Sequence, residues 1–362
     1  MSLLHPVKES VACMFDDQSI RFFHVSKKGT DITLKHFFSE IIPDHVITNG
    51  SVQPDAILIQ RLSGIRKKYG FSKIHVVIPD RYVTVFHAVM PRSVFIHDQS
   101  KNKRVTLQHS IESYIKQLLV NHPNFSPTDT IADYEVIQES SDGYHVHVSI
   151  AHPNQFSFIP EILERAGFTV DHIDIASFSI HRFARYMQQG ALYGTISVGS
   201  HTTQISIMRS GKIIASTWAH IGSYDLITTL QTMLNITKQD AERIIRDYGI
   251  LSTHPDKQVL AALHKTLEPV VIGLQQSLTA CSGTIYNHFF YQGIPPQWYI
   301  YGIGSTIPGI AQYLGIVTNA SVQPIDIIPT ELMDEEVIVQ IPVDQLPLYL
   351  PVMSTALNYL LE

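Results

Sequence analysis

A stretch near the middle of the chain, residues 194–215, constrains the fold more than any other. Two strand patterns flank a short loop in it, with Ile196 and Val198 alternating before the loop and Ile205 and Ile207 alternating after it. The loop is Gly199, Ser200, His201, Thr202 and Thr203. Because it is short and carries a glycine and hydroxyl groups, its backbone N–H groups can surround a phosphate. A plain β-hairpin fits the same pattern, so the rest of the chain must decide between the two interpretations.

The length of the chain predicts two lobes, because 362 residues exceed what one hydrophobic core usually supports. A net charge of −6 argues against a broad nucleic-acid surface. The two cysteines, Cys13 and Cys281, lie far apart in apolar stretches, which indicates buried reduced thiols. The sequence carries no signal-peptide pattern and no apolar run long enough to span a bilayer. We therefore expect a soluble intracellular protein that reaches a membrane only through a partner.

Histidines are numerous, at 19, and invite a search for metal ligands. His145 and His147 fall on the same face of one predicted strand. No third ligand follows them at a recognisable spacing, so the sequence predicts no metal site.

The first half of the chain predicts a mixed sheet with an insertion. The strand patterns before the insertion are 11–15, 19–25, 32–38 and 73–79. A helix begins after Pro54, carries an apolar stripe and ends at Gly70. Two helices and two strands between 93 and 166 then predict a small α+β unit that is inserted into the first lobe. A strand over 170–175 and a helix over 177–188 lead into the central hairpin.

The second half predicts further helices and a second candidate nucleotide loop. The helix patterns are 223–234, 237–248 and a long one at 267–291, and a packing helix covers 346–361. A strand at 298–301 is followed by Gly302, Ile303, Gly304 and Ser305, and then by a helix that begins near Pro308. A strand, a glycine loop and a helix N-terminus together favour a nucleotide contact, although a plain strand-to-helix turn fits equally.

Six stretches, in this order along nearly the whole chain, carry a family resemblance. They are VITNGSVQPDAILIQRL, KIHVVIPDRYVTVFHAVMP, DTIADYEVI, ERAGFTVDHIDI, AERIIRDYGIL and WYIYGIGSTIPGIAQYL. Each is similar to a segment of the PilM family of type IV pilus assembly proteins, and less closely to the related FtsA family. The order of elements also resembles that of the actin-like ATPase fold.

The resemblance implies an α/β fold with two RNase H-like lobes and a small α+β subdomain inserted in the first. The implied first-lobe core is 1–92 with 167–190, and the C-terminal helix 346–362 packs back on it. The inserted subdomain is 93–166, the second-lobe core is 191–222 with 294–345, and a helical subdomain is 223–293.

The resemblance also assigns the nucleotide-binding positions. They are Asp16, Asp17, Gln18 and Ser19 in a first phosphate loop, Gly199, Ser200, His201, Thr202 and Thr203 in a second, and Gly302, Ile303, Gly304 and Ser305 in an adenosine loop. The sequence departs from the family at several positions in and beside these loops. Met14 and Ser197 stand where the family has aspartates, Asp16 and Ile303 where it has glycines, and Ala176 where we expect a polar side chain that positions water.

These departures predict a weakened site. The two family aspartates hold the water shell of a Mg²⁺ that neutralises phosphate charge. Met14 offers no oxygen, Ser197 only a neutral hydroxyl, and Asp16 adds negative charge where the phosphates of ATP would lie. ATP and Mg²⁺ are therefore the implied ligands, with nucleotide binding weak or lost and ATP hydrolysis weakened or lost. No catalytic residue is assigned, and Asp17 is the remaining candidate to contact a metal.

The implied function is a cytoplasmic scaffold at the inner face of the cytoplasmic membrane. In the family, such a scaffold docks the N-terminal tail of a PilN-like bitopic membrane protein as an extended peptide, in a groove between the first-lobe core and the inserted subdomain. Other pilus alignment and motor proteins, and a second copy of the chain, are further implied partners.

Three alternatives remain open from the sequence. The first is an active ATPase that uses Asp16, Asp17 and Asp174. The second is an FtsA-like division protein, although residues 346–362 contain no Lys or Arg and so lack the basic membrane helix of that family. The third is a structural protein outside pilus biology.

Overall fold

The computed structural model describes most of the chain, and its strands form two sheets of five, one of three and one of two. The described residues are 7–16, 19–43, 46–48, 51–52, 55–92, 103–121, 130–141, 143–187, 192–209, 212–251, 254–282, 297–325, 341–342 and 345–361. Asp17 and Gln18 of the predicted first phosphate loop lie outside these ranges.

The strands follow the alternating and continuous apolar patterns of the sequence. They are β1 (Lys8–Phe15), β2 (Ser19–Lys28), β3 (Asp31–Ile41), β4 (Ile47–Thr48), β5 (Ser51–Val52), β6 (Lys73–Ile78), β7 (Val83–Pro91), β8 (Ile131–Glu139), β9 (Gly143–Ala151), β10 (Thr169–Ile175), β11 (Leu192–Val198), β12 (Thr203–Arg209), β13 (Lys212–Ala219), β14 (Trp298–Tyr301) and β15 (Val322–Pro324).

The described helices lie between the strands and at the C-terminal end. They are α1 (Ala56–Tyr69), α2 (Lys103–Asn121), α3 (Pro153–Phe156), α4 (Phe158–Arg165), α5 (Ala176–Met187), α6 (Ser223–Leu234), α7 (Lys238–Tyr248), α8 (Lys257–Thr266), α9 (Glu268–Ser282), α10 (Ile310–Thr318) and α11 (Leu346–Leu361). Helix α1 starts where the Asp55 carboxylate accepts the N–H of Leu58 at 2.8 Å, and Gly70 ends it. Within the described part of the chain, no helix is long and apolar enough to cross a membrane.

The two five-stranded sheets repeat one strand order. The first runs β10-β6-β1-β2-β3 and the second runs β15-β14-β11-β12-β13. The central strand is β1 in the first sheet and β11 in the second. On one side of it, the next two strands of the chain continue the sheet in antiparallel order, and on the other side two further strands run parallel to it. Two lobes with the same topology confirm the predicted two-lobed α/β fold with RNase H-like halves.

The insertion contains one strand more than its predicted range, 93–166, allows. Strand β7 pairs with β9 over its full length, from Val83 opposite Ala151 to Pro91 opposite Gly143, so the three-stranded sheet β7-β9-β8 begins before residue 93. Helix α4 falls inside the predicted range, but its buried apolar side chains pack with those of the first five-stranded sheet. Because of this pairing and packing, the inserted unit both begins and ends earlier along the chain than the predicted range of 93–166.

The long helix predicted at 267–291 is shorter where it is described. Helix α9 covers Glu268–Ser282, and the remaining predicted residues lie outside the described ranges. A separate helix, α8, precedes it; the Asp256 carboxylate caps α8 by accepting the N–H groups of Gln258 and Val259.

The C-terminal helix α11 is buried against both lobes. It packs on strands β1 and β2 and on helix α5, and its apolar side chains share one core with residues of both five-stranded sheets. Leu350, Met353 and Leu357 are fully buried in that core. Polar contacts add to the packing, since the Asn358 amide donates to the Ser179 carbonyl at 3.0 Å. This helix therefore holds the two lobes together.

The substitution Leu357→Ala tests the role of this helix. It removes a fully buried side chain from the shared core, so we expect the free energy of unfolding to fall by about 2–5 kcal/mol. Leu361→Ala, at the partly buried end of the same helix, is the matched control and we expect it to cost less than about 1.5 kcal/mol. Urea unfolding measures both, and equal losses would contradict the assignment of Leu357 to the core.

Candidate functional site

A cleft opens where the carboxyl ends of the central strands of both lobes meet. Its empty volume is about 650 Å³. The side chains and backbone that line it are those of Met14, Asp16, Arg21, Pro79, Asp80, Arg81, Ala176, Ser197, Gly199, Ser200, His201, Thr202, Gln204, Trp218, Tyr301, Gly302, Ile303, Leu348 and Pro351. Residues from all three predicted loops therefore converge on one cleft. Ser19, Thr203, Gly304 and Ser305 lie in the same loops but do not line it.

In the first loop, an ion pair occupies the turn between β1 and β2. The Asp16 carboxylate contacts the guanidinium of Arg21, and both side chains are about nine-tenths buried. The Ser19 N–H donates to Asp16 Oδ1 at 2.7 Å, and the Asp16 N–H donates to the Ser19 carbonyl at 3.0 Å. The sequence predicted a carboxylate that would repel phosphates. The structure shows that the negative charge of this carboxylate is neutralised by Arg21. Among the described residues of β1, β2 and the turn between them, Arg21 is the one cation that lines the cleft.

The second loop is anchored to the start of helix α6. The carbonyls of Gly199 and Ser200 accept the N–H groups of Ser223 and Tyr224, both at 2.9 Å. The Thr203 hydroxyl donates to the Ile221 carbonyl at 2.8 Å. The first-turn N–H groups of α6 are thus satisfied by loop carbonyls, so this helix N-terminus is not directed at a phosphate.

The glycines of the third loop are required by packing against β11. Gly302 has a φ of +89°, and a Cβ there would lie 2.6 Å from the Val198 carbonyl oxygen. A Cβ on Gly304 would lie 2.2 Å from the Val198 side chain. The Gly302–Gly304 pattern is therefore explained by close contact between the loop and a strand, whether or not a nucleotide binds.

Helix α11 also reaches this loop, through a break in its own hydrogen bonding. Pro351 has no N–H, so the carbonyl of Pro347, four residues earlier, lacks its helical partner. That carbonyl accepts the N–H of Gly302 at 3.3 Å. A proline inside the helix thereby connects the C-terminal helix to the loop that lines the cleft.

The two positions where the family has aspartates now carry other contacts. Met14 packs against the core that α11 shares with both lobes. Ser197 stands opposite Tyr301 on the neighbouring strand and hydrogen-bonds to its phenol. Complete burial raises the pKa of Tyr301 well above its ordinary value, so it stays protonated. A thioether and a paired hydroxyl do not fit the water shell of a Mg²⁺.

Asp80 is a cleft residue that the sequence prediction missed. It follows the buried strand β6, its carboxylate accepts the N–H of Ser177 at 2.9 Å, and it lies near Asp174 and Tyr301. Burial raises the pKa of Asp80 to about 6, and the negative charge of Asp174 adds to the shift. The sequence signal that could have identified Asp80 is its position at the carboxyl end of β6, which runs parallel to the central strand β1. Ligands of α/β folds usually bind at such strand ends.

Asp174, which an active ATPase would use to hold a metal ion, does not line the cleft. Its carboxylate pairs with the guanidinium of Arg182 and accepts the Thr355 hydroxyl of helix α11 at 3.5 Å. Burial raises its pKa, and the charge of Arg182 opposes the shift. Ala176, at the expected water-positioning place, lines the cleft with a methyl group.

Gln204 is a second cleft residue that the sequence prediction missed. Its side chain is buried, and neither amide atom has a hydrogen-bond partner among the described residues. It stands opposite Trp218 across β12 and β13. An alternating strand pattern does not distinguish such a buried amide from a solvated one, so no sequence signal identifies Gln204.

Two lobes of matching topology closed over a cleft define the actin-like ATPase fold, and comparisons with known proteins agree. The chain belongs to the family described as type IV pilus assembly protein PilM, whose model matches residues 15–323.

Two solved structures share the fold. A structure described as a PilM-PilN type IV pilus biogenesis complex is similar with a TM-score of 0.74 and 18% identity, over 98% of this chain and 99% of that chain. Ethanolamine utilization protein EutJ from Carboxydothermus hydrogenoformans is similar with a TM-score of 0.50 and 14% identity, over 97% of this chain and 90% of that chain. A search of curated proteins finds no match.

The raised pKa of Asp80 predicts how stability depends on pH. A folded-state pKa of about 6 lies above the unfolded value of 3.8, so the folded protein binds the proton more tightly. The free energy of unfolding should therefore fall by about 2–3 kcal/mol, relative to Asp80→Asn, as the pH rises from about 4 to about 7. The asparagine oxygen can still accept the N–H of Ser177, so the variant keeps that contact. Urea unfolding across this pH range measures the difference; a constant difference would contradict it.

Proposed function

We propose that this chain is a cytoplasmic scaffold of type IV pilus assembly that docks the N-terminal tail of a PilN-like membrane protein. Membership of the PilM family supports the process, and the likeness to a structure of a PilM-PilN complex supports the partner. The observation that carries the docking site is a second cavity, which lies between the inserted sheet and helix α5. The family resemblance implies a groove between the first-lobe core and the inserted subdomain, and the location of this cavity supports its assignment as that groove.

The tail cavity, as we call it, combines apolar walls with acidic groups. Its lining residues are Asp133, Tyr134, Glu135, His147 and Ser149 of the inserted sheet, Phe178, His181 and Arg182 of α5, and Ile213 of β13. Tyr134, Phe178 and Ile213 offer apolar contacts, and the carboxylates of Asp133 and Glu135 favour a basic side chain. An extended tail that carries apolar and basic residues fits this lining.

Strand β8 gives the tail cavity an edge along which a peptide can bind. In the sheet order β7-β9-β8, it is an outer strand, so one side of its backbone has no strand partner among the described residues. An extended peptide can add to such an edge through main-chain hydrogen bonds, while pockets accept alternate side chains. On the opposite wall, burial lowers the pKa of His181 to about 3, with His147 and Arg182 adding to the shift, so this imidazole is neutral.

The tail of a bitopic partner would hold this chain at the inner face of the cytoplasmic membrane. This attachment does not require a membrane-spanning segment in the chain itself. Further pilus alignment and motor proteins, and a second copy of the chain, are the partners that a scaffold in this position would bring together.

We also propose that the cleft between the lobes has lost ATP hydrolysis. Three features support this: the Arg21 guanidinium is paired with Asp16, the Ser197 hydroxyl with Tyr301, and Met14 offers no hard oxygen ligand. Phosphoryl transfer from ATP depends on a Mg²⁺ that neutralises the developing charge. Of the carboxylates among the described residues that line the cleft, Asp16 is paired with Arg21 and Asp80 accepts the N–H of Ser177, and neither stands at the two positions where the family has its aspartates.

A binding experiment tests the docking proposal. A synthetic peptide with the N-terminal tail sequence of the PilN-like partner should bind the full chain saturably in isothermal titration calorimetry. Tyr134→Ala removes an apolar wall of the tail cavity and should weaken binding by about tenfold or more, which corresponds to about 1.4 kcal/mol. Tyr248→Ala, at an exposed tyrosine on α7 outside that cavity, is the matched control and should leave the affinity unchanged. Absence of peptide binding to the folded wild-type chain would overturn the proposal.

A turnover experiment tests the lost hydrolysis. We expect phosphate release from ATP and Mg²⁺ to stay at the rate of a protein-free blank, for the wild-type chain and for Asp17→Ala alike. A Mg²⁺-dependent rate that disappears with Asp17→Ala would instead support an active ATPase.

A further inference from the structure

Two histidines and an aspartate meet at the edge of the first five-stranded sheet, outside both cavities described above. One ligand atom from each of His75, Asp171 and His172 lies within 4.8 Å of the other two. His75 belongs to β6, and the other two belong to the edge strand β10. Two imidazoles and a carboxylate are the donor set that proteins use to bind Zn²⁺.

An irregularity in β10 brings these groups together. Val170 pairs with Ile74, and His172 pairs with the next residue, His75, so Asp171 is an extra residue with no partner in the ladder. Successive side chains of a regular strand point to opposite faces of the sheet, but a bulge re-aims one of them. The bulge thus allows two consecutive residues to approach the same histidine.

Both imidazoles stack against a tyrosine of helix α11. The ring of Tyr359 lies nearly parallel to that of His75, with centroids 4.2 Å apart, and to that of His172, with centroids 4.6 Å apart. The Nδ1 atom of His75 is buried without a hydrogen-bond partner among the described residues.

The cluster is open on its other side. The side chains of His172 and Asp171 are 51% and 41% exposed, so an ion can enter and a water molecule can complete its coordination. Around a tetrahedral Zn²⁺, nitrogen and oxygen ligands lie about 3.4 Å from one another. Rotation of the two exposed side chains can close the present spacing to that value.

We propose that His75, Asp171 and His172 form a Zn²⁺ site with three protein ligands and a water molecule. The ion would tie the bulged edge strand β10 to β6, directly beneath the last turn of helix α11. The site is independent of the proposed tail cavity and of the cleft between the lobes.

Calorimetric titration of the metal-free full chain with ZnCl₂ at neutral pH tests this site. We expect one Zn²⁺ to bind to the wild-type chain in a step that Asp171→Asn and His172→Gln each weaken at least tenfold. His220→Ala, an exposed histidine outside the cluster, is the control for the other histidines and should change nothing. X-ray absorption of the one-equivalent sample should show two imidazole ligands.

Both test substitutions are at exposed positions, and thermal unfolding without metal should confirm that the variants fold as the wild type does. Wild-type affinity in both variants would overturn the proposal. So would the absence of a stoichiometric binding step, or a bound Zn²⁺ without imidazole ligands.

Discussion

The burial of helix α11 against both lobes is the interaction on which the rest of the structure depends. Its side chains belong to one core with residues of β1, β2 and β11 to β14, so this core connects the two lobes, each of which also has a core of its own. The same helix also contacts one residue beside the cleft and one that lines it. Thr355 contacts Asp174, and the carbonyl freed by Pro351 binds the N–H of Gly302. The helix therefore links the stability of the fold to the shape of the cleft.

The cleft retains the frame of an actin-like nucleotide site while its polar groups bond to one another. Arg21 pairs with Asp16, Ser197 pairs with Tyr301, and the second loop bonds to the start of α6. Breaking a buried ion pair leaves an uncompensated charge, which commonly costs about 3–5 kcal/mol. A nucleotide that recruited Arg21 would have to supply that energy from its own contacts. This cost supports the proposal that the cleft no longer carries out phosphoryl transfer.

Much of the fold could be predicted from the sequence because each strand and helix shows its own apolar periodicity. The three candidate nucleotide loops follow from the family resemblance, and residues of all three line one cleft. The pairing between distant segments could not be predicted from the sequence. Strand β7 joins the inserted sheet because of its partner β9, and nothing within residues 83–91 reveals that partner. The Asp16–Arg21 pair, the orientation of Asp80 and the bulge at Asp171 likewise depend on geometry that spacing does not encode.

A crystal structure of the chain grown with Mg²⁺ and a non-hydrolysable ATP analogue is the most direct test of the proposal that the cleft no longer holds a catalytic metal–nucleotide complex. The account predicts that Arg21 stays paired with Asp16 and Ser197 with Tyr301, with no Mg²⁺ bound between the two phosphate loops. A triphosphate with a bound Mg²⁺ beside Ser197, and Arg21 turned away from Asp16 to contact it, would contradict the account.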